Sequence, residues 1–198
     1  MLGYFRTVPS GTQKPLSLSH KEFDPFIAIP PETERLIFRD WNVADLESFH
    51  ALCADPGVMQ FVGDGEPWSL ERTKQFIARA REMSQTLEFC QWPMIHKPDS
   101  AVIGFCGFVP TSDGAEIGWR LAKEYWGRGL ATEAARAVLK HGFETLGFQR
   151  IVATVQSPNQ ASIRVIEKLG MQPESRFHRN GREVILFSIT YQRAGIGV

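Results

Sequence analysis

Three observations predict an α/β fold in a single domain. Hydrophobic periodicity switches along the chain in the order strand, two helices, three strands, helix, strand, helix, two strands, with turn residues at the switches. The 198 residues suffice for one well-filled core and call for no second domain. Hydrophobic residues make up 43% and charged residues 22%, the balance of a soluble globular chain rather than a disordered or fibrous one.

The first thirty or so residues stand apart. Pro9, Pro15, Pro25, Pro30 and Pro31 interrupt them and no periodicity runs through them, so residues 1–33 read as an N-terminal arm, 34–191 as the domain and 192–198 as a tail. "RLIFRDW" alternates as a strand entering a turn, and Val43, Leu46, Phe49 and Leu52 share one face of a helix. Gly57, Gly63, Gly65 and Pro67 mark a loop, after which Ser69 is placed to cap a second helix.

"LEFCQWPMIHK" reads as a strand that Pro93 puts near an edge or a bulge. "AVIGFCGFV" is a strand covered on both faces, and "AEIGWRL" completes an antiparallel meander. Leu130, Ala134, Ala137 and Val138 define a helix ended by Gly147, "RIVATVQ" a strand, and "NQASIRVIEKLG" a short helix stopped by Gly170. "GREVILFSITY" is the last strand, paired with part of "MQPESRFHR" in a hairpin turning at Asn180 and Gly181.

Several function classes are excluded early. The formal net charge of +0 argues against a general nucleic-acid binder. Cys53, Cys90 and Cys106 fit neither a zinc site nor a disulfide framework and read as core thiols of a cytoplasmic protein. His50, His96, His141 and His178 have no metal-ligand spacing, so no metal is expected. The longest apolar run is far short of the roughly 20 residues of a membrane helix, and no signal peptide is apparent.

The informative stretch is "YWGRGLATEA", residues 125–134. Helix N-termini carry open amides and the positive end of the macrodipole, so a glycine-lined turn entering a helix suits a pyrophosphate. Arg120, Lys123, Arg128, Arg136 and Lys140 outnumber Glu124 and Glu133 around it, which favours an anionic ligand, although an ordinary solvated helix face has the same look. The Gly-Lys-Ser/Thr ending of a Walker loop is missing, as is the third glycine of a dinucleotide fingerprint.

"AEIGWRLAKEYWGRGLATEAARAVLKHGFE" followed by "IVATVQSPNQASIRVIEKLGMQPES" resembles the GNAT superfamily of acyl-CoA-dependent N-acetyltransferases, and within it the branch named for acetylating the N-terminal Ser or Ala of ribosomal proteins. The likeness runs from about Glu34 to Tyr191. It implies a GNAT fold, a mixed and largely antiparallel sheet flanked by about four helices, with a splayed strand pair forming the acyl-CoA groove.

On that resemblance Trp126, Gly127, Arg128, Gly129, Leu130 and Ala131 form the pyrophosphate loop, and the backbone of Ile117, Gly118 and Trp119 pairs with pantetheine. Trp126 departs from the family's usual Gln or Arg, leaving the backbone amides unaffected. Asn159 falls where the family has an asparagine near pantetheine, with Ser162 after it; as plain helix residues they would be an N-cap and a first-turn polar group. A tyrosine acid common in the superfamily is replaced by Ile166, so Ser162 is expected to meet the leaving thiol.

Glu116, on the groove strand, is the candidate base, or else an outward strand residue if the register differs by one. Trp68 and Trp92 read as core or rim, with the acceptor-side loops spanning Asp55 to Trp68 and the surroundings of Phe177. The implied function is transfer of acetyl from acetyl-CoA as co-substrate, without metal, to a primary amine on a protein N-terminus or a small molecule. A homodimer is left open. The alternative is an acyl-CoA binder without turnover.

Overall fold

The apolar run Ala101–Thr111 becomes the longest strand, and its middle, Ile103 to Phe108, is buried on both faces. This is β3 of a computed structural model that describes residues 28–112 and 114–193. In chain order the other elements are β1 (Leu36–Phe38), α1 (Leu46–Cys53), α2 (Pro56–Met59), α3 (Leu70–Leu87), β2 (Gln91–His96), β4 (Gly114–Leu121), α4 (Leu130–Glu144), β5 (Arg150–Gln156), α5 (Gln160–Lys168), β6 (Gln172–Arg179) and β7 (Arg182–Thr190). They follow the order expected from the sequence, with one addition. The glycine-rich loop holds the single turn α2, started by Pro56 and capped by the Asp55 carboxylate, which accepts from the Gly57 N–H at 2.7 Å.

The strands form one seven-stranded mixed sheet in the order β1-β2-β3-β4-β5-β7-β6. Every neighbouring pair is antiparallel except β4 with β5. Pro93 lies just past the end of β1, which stops opposite Met94, and beside an irregularity at Met94/Ile95. Ser69 caps α3 through the Arg72 N–H, and the β6–β7 turn puts Asn180 and Gly181 both at positive φ.

Alternate residues of β3 serve opposite layers. Phe105 meets Phe49 of α1 and Phe76 of α3, with ring centroids 6.1 and 5.1 Å away. Phe108 turns the other way, toward Gly142 of α4 and the Phe89 and Phe148 rings. Trp92 is fully buried and Trp68 half-buried, so the first is core and the second rim. Of the segment before Glu34, residues 1–27 lie outside the described residues, as do 194–198 of the tail. Residues 28–33 rest against α4: the Ala28 carbonyl lies 2.9 Å from His141 Nε2, and the Thr33 hydroxyl donates to Glu133 at 2.6 Å.

Candidate active site

The parallel neighbours β4 and β5 are joined at only two positions, Ala115 opposite Ile151 and Glu116 opposite Val152. Both pairs sit at the beginnings of their strands, yet β4 continues to Leu121 and β5 to Gln156. The strands therefore part, and the gap widens toward the ends from which the chain enters α4 and α5. Ile117, Gly118 and Trp119 keep their β3 partners Phe108, Gly107 and Cys106, while their other edge has no strand partner among the described residues. A strand edge left open inside a sheet is a place for an extended ligand to pair.

One helix N-terminus borders the gap at α4. Gly127 and Gly129 have φ of 73° and 80°, and Gly129 is the N-cap, with no side-chain hydrogen bond closing the first turn. A side chain at Gly127 would meet nothing within 4 Å, and at Gly129 only a terminal Arg35 nitrogen at 3.7 Å. The left-handed dihedrals, rather than crowding, demand glycine here. The first-turn amides have no side-chain cap. Leu130, 1% exposed, roots the turn in the core.

Charged side chains brace this loop. Glu133 accepts from the Thr33 hydroxyl at 2.6 Å, the Arg35 N–H at 2.9 Å and Arg35 Nε at 2.7 Å, and Arg35 also donates to the Arg128 carbonyl at 2.9 Å. Burial pushes the Glu133 carboxyl up, but these donors outweigh it and hold the group below its ordinary value. Arg128 lies 3.2 Å from His96 Nε2 and over the Tyr125 ring. Trp126 is exposed and donates its Nε1–H to the Leu121 carbonyl at 2.8 Å, fastening the loop to the end of β4.

The second helix N-terminus is that of α5. Asn159 caps it, its Oδ1 accepting the Ser162 N–H at 3.1 Å. Capping occupies the amide oxygen and leaves the NH₂ group to donate. Ser162, half-buried, is in the first turn, and Ile166, 1% exposed, is part of the core. A tyrosine acid has no counterpart at that position.

Glu116 is half-buried at the apex of the gap, and Thr154 of β5 donates its hydroxyl to the carboxylate. Its face follows from Arg120, four residues on, which stacks over Trp68 and Phe105 on the α1–α3 side. The cysteines are free and buried, and desolvation pushes each thiol up, so they are poor nucleophiles. Among the described residues no group of three or more His, Cys, Asp or Glu side chains could hold a metal ion, and no helix is long and apolar enough to cross a membrane. A cavity of about 570 Å³ under α5, lined by Ile163, Met171 and Ile185, opens on the opposite sheet face from Glu116. The sequence reading missed the Thr154 and Arg35 contacts, which join residues 38 and 98 apart and leave no local pattern.

A strand pair parted within a sheet, with two helix N-termini following its strands, has the shape and polarity that suit an extended anionic ligand. Comparison with known proteins identifies the class. Residues 35–172 match the model of the acetyltransferase (GNAT) domain. The uncharacterized N-acetyltransferase YnaD of Bacillus subtilis is 30% identical over 149 residues, covering 74% of this chain and 85% of that protein. YoaA, an uncharacterized N-acetyltransferase of the same organism, is 32% identical over 72% and 82% of the two chains.

A GNAT-family acetyltransferase from Bacillus anthracis superposes with a TM-score of 0.74 at 28% identity, covering 83% of this chain and 99% of that one. The ribosomal L7/L12 alpha-N-protein acetyltransferase RimL, solved with coenzyme A, shares the fold at TM-score 0.70 and 19% identity, over 82% and 97% of the two chains. The chain belongs to the GNAT acetyltransferase family. It is an acetyl-CoA-dependent N-acetyltransferase acting on an amine acceptor.

Proposed function

We propose that this enzyme acetylates a primary amine by direct attack within a ternary complex, with Glu116 as base and Ser162 as the partner of the departing sulfur. The observation that carries the reading is the carboxylate at the apex of the β4–β5 gap, held from across the opening by Thr154. Acetyl-CoA supplies the acyl thioester when bound. The open first turn of α4 suits its pyrophosphate through the amides of Gly127 to Ala131, and the free edge of Ile117 to Trp119 suits the pantetheine amides.

An ammonium has no lone pair, so the incoming amine must lose a proton before it forms a bond to the carbonyl carbon. Glu116 takes that proton directly or through one water. When the carbon–sulfur bond breaks, the electron pair passes to sulfur, the nitrogen's surplus proton passes through water to the sulfur or to solvent as the amide forms, and the Ser162 hydroxyl donates a hydrogen bond to the sulfur. Asn159 keeps its NH₂ group available beside the same helix turn.

The acceptor's size is open within this reading, since relatives that share the fold or part of the sequence carry names as different as ribosomal-protein and spermidine acetyltransferase. The test is acetyl transfer to spermidine and to a tetrapeptide with a free N-terminal serine, using wild type and Glu116→Gln. The expected outcome is that the variant loses rate chiefly below the acceptor's own pKa, where the ammonium dominates, and approaches wild type above it. An unchanged pH–rate profile would remove Glu116 as the base.

A further inference from the structure

We propose that Arg182 is a positioning residue that anchors the segment Gln60–Gly65 as the wall of the acceptor pocket. Arg182 opens β7, immediately after the Asn180–Gly181 turn. One guanidinium nitrogen donates to the Gln60 carbonyl at 2.9 Å and to Gln156 Oε1 at 3.1 Å, and the other donates to the Asp64 carbonyl at 2.8 Å. A single fork thus ties the loop after α2 to the paired end of β5 and start of β7. A lysine has three donors on a single nitrogen and lacks the planar fork of separated nitrogens that spans these acceptors.

The location gives the anchor its function. Gln156 is paired with Val184, so Gln156, Val184 and Arg182 share one sheet face, and two residues back along β5 on that face is Thr154, the partner of Glu116. Gln156 lies about 7 Å beyond Thr154 along β5, so the anchored segment stands further along the opening than the carboxylate, on the carboxylate's side of the sheet. The loop is shaped for the contact. Gly65 has φ 88°, and a side chain there would meet an Arg182 nitrogen at 2.6 Å. At its far side the Arg72 guanidinium, 3.4 Å from the Asp64 carboxylate, ties the segment to α3. The inference rests on the reading of this face as the acceptor side.

Hydrogen exchange on the full chain, together with steady-state kinetics on spermidine and the N-terminal serine tetrapeptide, tests it in Arg182→Met, Arg182→Lys and Gln156→Leu. In Arg182→Met the amides of residues 60–66 are expected to exchange at least tenfold faster, with those of β5 and α4 unchanged. KM for the amine should rise about tenfold while kcat and KM for acetyl-CoA hold within twofold. Arg182→Lys and Gln156→Leu, which each keep part of the network, should fall between. Unchanged exchange over 60–66 in the folded variants overturns the anchor, and faster exchange with an unchanged amine KM overturns the wall. If wild type acetylates neither amine the base-and-acceptor reading fails, and the exchange result still decides whether Arg182 holds the segment.

Discussion

Ser162 shows how much one position can carry when its neighbours are fixed. Asn159 holds its N–H, and Ile166, one turn on, is committed to the core, which leaves the serine hydroxyl in the first turn of α5 for the role proposed above. Removing a contact made only in the transition state lowers kcat and kcat/KM together, whereas removing a uniform binding contact raises KM alone. Ser162→Ala is expected to reduce kcat about tenfold to a thousandfold, with CoA affinity measured by calorimetry almost unchanged. Full activity with chemistry rate-limiting would move the sulfur's partner elsewhere. At this scale the sequence disclosed roles that follow from backbone or helix position, such as the two glycines and the Asn159 cap. It did not disclose Thr154 beneath Glu116, or Arg182 reaching Gln60 across 122 residues, because side-chain pairings between distant segments impose no spacing.

The α4 entrance joins two requirements in five residues: left-handed backbone at Gly127 and Gly129, and open amides directly after it. A β-branched residue is strained at positive φ, at a cost of about 1–3 kcal/mol. Gly129→Val is therefore expected to lower stability by about that amount in urea unfolding while abolishing CoA binding in the still-folded protein. Normal CoA affinity in the variant would dismiss the loop as the pyrophosphate site. The Arg35–Glu133 clamp explains how the turn keeps its shape without a capping side chain, because Arg35 also holds the Arg128 carbonyl. Long periodic elements such as α3, β3 and α4 were legible because their burial repeats along the chain. The turn α2 was not, since four residues are too few to show a period and its glycine resembles a loop signal.

For the molecule as a whole, His141 links stability to pH. It projects from α4 against Trp92, with ring centroids 5.8 Å apart, and burial holds its pKa below the usual histidine range despite the bond to the Ala28 carbonyl. A depressed folded value means the unfolded chain takes up the proton first as pH falls. The stabilisation is complete above about pH 6.5 and is lost as pH drops from there through the folded pKa. Urea midpoints should fall between pH 7.5 and 5.5, and His141→Gln should flatten that slope; equal slopes would remove His141 as its source. The order of elements followed from pattern, turn residues and length together, whereas the mixed sheet flanked by helices was implied by the family likeness. The parting of β4 from β5 entered through family likeness, because strand periodicity reports faces and not whether an edge is paired. That parting also has a mechanical meaning. Eight residue pairs tie β3 to β4 and seven tie β5 to β7, against two between the halves, so load crossing the sheet concentrates on one short rivet line. Stiffness transverse to the strands then depends on α4 and on whatever lies in the opening, and a molecule lodged there serves as a crossbeam as well as a reactant.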